Sequence, residues 1–316
     1  MDVLSDVLAV LRLQGEELCW TEPTARWGLS FTAQNAQFHM IEQGSCLLQT
    51  NDARRTVQLA AGDLVILPHG RGHRLFDSRD TPVIPITSLI QPGQASVLRF
   101  GDGGTRTTVL CGRFRFHAPL GGSALSGFPA LIHVRGSEGR PVEWLDMTMR
   151  FLASEARSNA PGKSLTMTRL MDLLFVEAIR YWLITSDEWP RGSIAALRDP
   201  RIAAAMVRMH EQPGRNWDVV TLAAQAGMSR SSFGQRFVEL VGEPPSRYLT
   251  RWRMQVATRL LHTPGTKVGQ IAEQVGYESE AAFSRVFKRY TRMSPAAFRD
   301  RGARESAPVT DDRRTA

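Results

Sequence analysis

The chain has 316 residues, 42% hydrophobic and 22% charged, with a formal net charge of +8, an ordinary balance for a soluble globular protein large enough for two domains. Its three widely spaced cysteines, Cys19, Cys46 and Cys111, form no CxxC pair, so neither a disulfide framework nor a zinc knuckle is indicated and a reducing cytoplasm fits. The N-terminus has acids but no basic start or small-residue cleavage site, and no apolar run approaches the ~18 residues needed to span a bilayer, so neither secretion nor membrane insertion is expected.

In chain order, residues 2–13 place Val3, Leu4, Val7, Leu8 and Leu11 on one stripe, which predicts an amphipathic helix docking on something larger. Its polar face has few basic residues, which favours packing over membrane anchoring. From Glu17 to about Val134 short apolar runs are broken by Gly, Pro, Asn and Asp, the spacing of a β-sandwich or barrel. Within this stretch Gly62, Pro68, Gly70 and His73 imply a strand that turns sharply and then sends His73 inward. That order of glycine, five residues, Pro-x-Gly, two residues and His resembles the second motif of the cupin barrels. The resemblance implies a pocket. In metal-holding cupins a first motif supplies two histidines and a glutamate; here Gly44 matches its closing glycine, but Gln37 stands at the Glu position and no His precedes it in 27–36. Without a carboxylate, two imidazoles make a poor metal centre. No metal, cofactor or catalytic residue is therefore assigned. His39, His69, His73 and His117 read either as hydrogen-bonded core or rim histidines or, for His39 and His73, as contacts to a small ligand.

After His133 the pattern turns helical. Val142–Arg157 and Thr166–Leu183 show apolar residues at three and four spacing, separated by a loop from Ser158 to Gly162. The second has a face too wide for one packing partner, including Leu170, Leu173, Leu174, Ile179 and Trp182. Packing on the barrel and pairing with a second copy both remain open. Trp189 to Ser193 reads as a linker, followed by a helix capped at Asp199-Pro200. The stretch from Ala303 to Ala316 has mixed charge and almost no apolar content, which predicts disorder.

Between 217 and 299 one pattern occurs twice. The segments Leu222–Gly227 and Ile271–Gly276 share an apolar face with a small residue at the second place, Ala223 or Ala272, and each ends in a glycine suited to the left-handed conformation. Ser229 and Ser279 then read as N-caps. In the helices that follow, Phe233 and Phe237, like Phe283 and Phe287, stand four apart on a buried face and leave the opposite face free. This is the helix-turn-helix arrangement. Residues 198–304 hold 18 Lys plus Arg against 9 Asp plus Glu, a local excess of +9 that exceeds the charge of the whole chain and suits a phosphate-binding surface.

The two copies, joined by Arg251–Leu261 and closed by Gly276–Arg299, resemble the AraC/XylS family of bacterial transcription regulators. Two departures are visible: Arg292 stands where the family usually has glycine before Met-Ser-Pro, and the first copy has Pro244-Pro245 in the corresponding place. The expected fold is α+β, an N-terminal cupin-like β-barrel with flanking helices and a C-terminal all-α domain of two helix-turn-helix units. The expected boundaries are 1–137 for the sensor barrel, 138–192 for the helical dimerisation and linker segment, 193–302 for the DNA-binding domain and 303–316 for the tail. A sequence-specific, effector-responsive transcription regulator follows, against the alternative of a metal-dependent cupin enzyme fused to a DNA-binding domain. Its expected partners are double-stranded DNA, RNA polymerase, a small-molecule effector and a second copy of itself, with no membrane. The expected DNA-facing residues are Arg230, Ser231, Ser232, Gly234 and Gln235 in the first copy and Glu280, Ala281, Ser284 and Arg285 in the second. Arg251, Lys288 and Arg289 are expected to meet phosphates. Gln235 suits adenine and Arg285 guanine.

Overall fold

The structure is a computed structural model that describes residues 3–11, 13–32, 35–51, 56–90, 97–116, 127–158, 160–186, 192–263 and 265–306. It forms two units. His117, most of the expected linker and residues 307–316 of the expected tail lie outside the described residues.

The first unit is built on strands β1 (Leu13–Pro23), β2 (Gly28–Phe31), β3 (Ala36–Gln43), β4 (Ser45–Thr50), β5 (Thr56–Ala60), β6 (Leu64–Leu67), β7 (His73–Phe76), β8 (Ile84–Pro85), β9 (Val97–Phe100), β10 (Thr108–Phe116) and β11 (Ile132–Val134). They form two sheets, in the orders β11-β6-β3-β10-β1-β9 and β5-β4-β7-β2-β8. Trp27, Leu29, Ile41, Leu48, Leu59, Val65, Leu75 and Val109 fill the core between them. The barrel-like β domain read from the sequence is thus present. The alternation expected of a one-faced strand is absent in β3, where Ala36 to Ile41 are all buried. The reason is cover on both faces: Gln37, His39 and Ile41 alternate with Phe38 and Met40, and Phe38 lies against Phe114, which in turn meets Phe175 edge-on at 5.0 Å.

Phe175 belongs to α3 (Lys163–Thr185), which follows α2 (Glu143–Arg157). The two helices pack on each other, and α3 also packs on β1 and β11. Backbone approach at β1 is close enough that a Cβ on Gly15 would stand 2.4 Å from that of Met171. The Gly15 N–H donates to Asp172 Oδ1 at 2.9 Å, tying strand to helix. Leu174, Phe175 and Ile179 are wholly buried, so most of the wide face serves the unit's own core. The large apolar side chains left outside are Met147 and Phe151 on α2 and Leu165, Leu173 and Ile184 on α3, exposed by 45–83%.

The second unit is helical. A 3₁₀ turn (Gly192–Arg198) leads into α4 (Pro200–Glu211), capped by Asp199 with Pro200 in the first turn as the sequence indicates. Then come α5 (Val219–Gln225), α6 (Arg230–Val241), α7 (Pro245–Leu261), α8 (Val268–Gln274), α9 (Glu280–Thr291) and α10 (Pro295–Ser306). The last helix therefore continues beyond residue 302, into the start of the segment expected to be a disordered tail. The N-terminal helix α1 (Val3–Leu11) also belongs here: it packs against the 3₁₀ turn, α4 and α7. The sequence reading grouped it with the barrel because amphipathicity names a buried face without naming what covers it.

Candidate nucleic-acid interface and barrel site

The two copies fold alike. Gly227 and Gly276 take φ of 61° and 79°, closing α5 and α8, while Ser229 and Ser279 each accept the N–H three residues on at 3.2 Å to start α6 and α9. Phe233 and Phe237 touch with ring centroids 5.6 Å apart, Phe283 and Phe287 with theirs 5.4 Å apart, and all four are fully buried. Anchored on that side, α6 and α9 present Arg230, Ser231, Ser232 and Gln235, and Glu280, Ala281, Arg285, Lys288 and Arg289, as exposed residues. Gly234 and Ser284 are half-buried. The Gln235 amide donates to Glu239 at 2.9 Å, whereas Arg285 makes no ion pair among the described residues.

Arg251 departs from the expectation. Its guanidinium is held by Glu243 through Nε at 2.8 Å and Nη2 at 2.7 Å and lies over the Tyr248 ring, leaving the side chain only 13% exposed. Its charge is spent within the unit, bracing the turn between α6 and α7, so it is poorly placed as a free phosphate contact. The helix-end turns themselves are equivalent: Gly242 ends α6 at φ 82° and Arg292 ends α9 at φ 64°. Arg292 thus holds the left-handed conformation for which glycine is suited. In the first copy Pro244 is the N-cap of α7 and Pro245 its first residue, a position where proline lacks no needed donor.

In the barrel, His39 on β3 and His73 at the start of β7 meet with their Nε2 atoms 2.7 Å apart. The tautomers follow from the outer partners. His73 Nδ1 faces the Arg71 carbonyl at 3.1 Å, which only accepts, so Nδ1 carries the proton and Nε2 is free to accept from His39. His39 Nδ1 then accepts from the Cys111 thiol, 3.1 Å away. The chain of donation runs Cys111 to His39 to His73 to the Arg71 carbonyl. Burial holds both imidazoles neutral: His39 lies well below its ordinary range, with the neighbouring His73 adding to the effect, and His73 is lowered from 6.5 to about 4. Phe31 stacks on His73 at 4.7 Å. Cys111 stands opposite Cys19 across β1 and β10, and the neighbouring Cys19 together with burial pushes the Cys111 thiol upward. Gln37 is buried close by in sequence; its Nε2 donates to the Thr32 carbonyl, while Oε1 has no hydrogen-bond partner among the described residues. This donor set does not fit a cupin metal ion: it includes no carboxylate, and the imidazole nitrogens that would bind are bonded to each other. His69 instead caps the Phe128 carbonyl at 3.0 Å, a structural role.

Comparison with known proteins matches residues 2–184 to a cupin domain and residues 222–301 to a helix-turn-helix domain. The chain is 32% identical over 309 residues to the HTH-type transcriptional regulator AlkR of Acinetobacter baylyi, covering 95% of this chain and 99% of that protein. It is also 29% identical to a putative AraC-like transcription regulator of Streptomyces lividans, covering 95% and 98%, and 29% identical to the RCS-specific HTH-type transcriptional activator RclR of Escherichia coli, covering 98% and 100%.

The chain belongs to the AraC-type transcriptional regulators.

It is a DNA-binding transcription regulator with a cupin N-terminal domain and a helix-turn-helix C-terminal domain. Among the described residues no helix of the regulator is long and apolar enough to cross a membrane. Two features of the regulator lay beyond sequence reasoning. Arg236 on α6 bonds Asp199 Oδ2 at 2.9 Å, so the capping carboxylate of α4 also holds the second helix of the first copy. And His210, near the end of α4, joins Asp6 to Tyr248. Spacing could not reveal either, since both depend on which distant helices meet. The one available signal was an acid, Asp6, on the apolar stripe of the N-terminal helix.

Proposed function

We propose that this regulator reads duplex DNA through the outward faces of α6 and α9 and that a small molecule bound in the barrel tunes that binding. The observation that carries the reading is the duplicated unit: two capped helices, each anchored by a buried Phe pair, with polar and basic side chains outward. Joined by α7, they would enter successive major-groove segments about one turn (~34 Å) apart, giving each protomer an asymmetric site. Gln235 and Arg285 are the base readers; Lys288 and Arg289 meet phosphates and set register. Arg230 and Ser231 sit at the start of α6, where orphan N–H groups favour phosphate.

The regulator works as a dimer in the cytoplasm and acts with RNA polymerase. The exposed Met147, Phe151 and Leu173 support pairing through α2 and α3, and Leu174, fully buried, does not. The barrel is read as a ligand-binding and not a catalytic domain, because the two buried imidazoles are bonded to each other and, among the described residues, no carboxylate joins them in a cluster.

The test is binding to a randomised operator library at one salt concentration. Arg285→Ala is expected to relax preference at one base position, at ~1–3 kcal/mol for the lost bidentate contact. Lys288→Ala is expected to weaken every sequence alike and reduce the salt slope by about one unit. Uniform loss in both variants would remove Arg285 from base readout.

A further inference from the structure

The helical unit has a groove that another part of the same chain fills. Ile194, Ala195 and Ala196 of the 3₁₀ turn are buried at its floor, and α4 and α7 also border α1. Helix α1 lies there with Val3, Leu4, Val7 and Leu8 exposed by 9% or less. Among these apolar contacts sits a polar core. Asp6, itself 7% exposed, accepts from His210 Nδ1 at 2.9 Å, and His210 Nε2 accepts from the Tyr248 hydroxyl at 2.6 Å. The His210 ring stacks on Trp252 at 3.7 Å.

A carboxylate on the buried face of an otherwise apolar helix makes general greasy packing less favourable, since its desolvation is offset only where a donor waits. Asp6 therefore selects one seat and one register for α1. Tyr248 and Trp252 stand one turn apart on α7, the helix that joins the two reading units, and Tyr248 also packs edge-on against Phe237 of α6 at 5.6 Å. Contacts run without a break from α1 through His210 and Tyr248 to α6. At its other end α1 is followed, one residue later, by β1.

We propose that α1 is a docking strap: the groove of α4, α7 and the 3₁₀ turn is an interaction surface for the chain's own N-terminal helix, and DNA binding at full strength requires α1 to be seated in it. Seating holds Tyr248 and through it α6; unseating α1 loosens the first reading helix. This rests on α6 being a reading helix.

The experiment uses the full chain and compares Val7→Asp, Asp6→Asn and, as a control on the exposed side of α1, Ala9→Asp. Hydrogen exchange of α4 and α7 and DNA affinity at fixed salt are read in parallel. A buried unpaired carboxylate in Val7→Asp, and in Asp6→Asn the loss of the charge to which His210 Nδ1–H donates, predict DNA binding weakened about tenfold or more, with faster exchange in α4 and the first turns of α7. Ala9→Asp is expected to change neither. If Val7→Asp does not fold, the near-isosteric Asp6→Asn carries the test. Affinity within about twofold of the parent in the folded variants, with or without faster exchange, would reduce α1 to a structural cover and overturn the proposal. Gln235→Ala, measured on the same library, reports on α6 as a reader, so the two readings fail separately.

Discussion

At the scale of single residues, Arg292 and Gly242 form a natural pair of tests. They end α9 and α6 in the left-handed region, at φ 64° and 82°, yet only one is glycine. A side chain there costs ~1–2 kcal/mol, while glycine adds unfolded-state freedom worth ~0.5–1 kcal/mol. Arg292→Gly is thus expected to stabilise the helical unit by up to about 1 kcal/mol, and Gly242→Ala, where a Cβ would meet no atom within 4 Å, to destabilise it by about as much through strain alone. Thermal unfolding of the two variants in opposite directions checks this. The histidine pair gives a pH prediction. His73 is lowered from 6.5 to about 4, so the unfolded chain binds this proton more readily than the folded one. The stability it contributes is present above pH 6.5, falls as pH drops through that value and is fully lost below pH 4; at pH 5 about 2 kcal/mol is gone. Unfolding of the β-rich unit followed from pH 7.5 to 5 should show this slope, flattened in His73→Asn.

Among the elements, α3 shows how far a helix pattern reaches. Substituting the buried Leu174 by Asp is expected to unfold the β-rich unit, whereas Phe151→Asp should leave its melting unchanged and weaken binding to paired half-sites only. Equal affinity of Phe151→Asp and parent for paired sites would exclude pairing through α2. Gly15→Ala should cost ~1–3 kcal/mol by overpacking, because the new Cβ would fall 2.4 Å from Met171 Cβ. The caps Ser229 and Ser279, the turn glycines and the Phe pairs were legible in the sequence because each is set by neighbours within one or two turns. The inward turn to His73 was legible for the same reason. What α1 packs on, the embrace of Arg251 by Glu243 and the thiol opposite the His39 imidazole were not. Those depend on tertiary meetings such as Asp6 with His210 or Cys19 with Cys111, and periodicity carries no information about the partner. The face around Leu174 left packing and pairing both open for a related reason: an apolar face of given width looks the same whether a barrel or another subunit covers it.

For the whole molecule, the basic excess of residues 198–304 means that attraction to a polyanion belongs to the helical unit. Pairing of two chains would add avidity without new DNA contacts, raising affinity by ~10²–10⁴ at matched spacing. A fragment beginning at Gly192 would keep the reading helices but uncover the seat of Val3, Leu4, Val7 and Leu8. It is expected to melt earlier than the same unit in the full chain and to bind a hydrophobic dye that the full chain does not. The seat also imposes an order of events during synthesis. Asp6 and His210 are 204 positions apart in sequence, so at ~5–20 residues per second α1 leaves the ribosome roughly 10 to 40 seconds before its partner exists. In that interval its apolar stripe has nothing of its own to cover it. Folding of the β-rich unit, which lies between the two halves of the seat, then replaces a long flexible loop by a compact body with fixed ends and lowers the entropy lost when they meet. The N-terminal helix is therefore made well before its seat and is placed only once that seat exists.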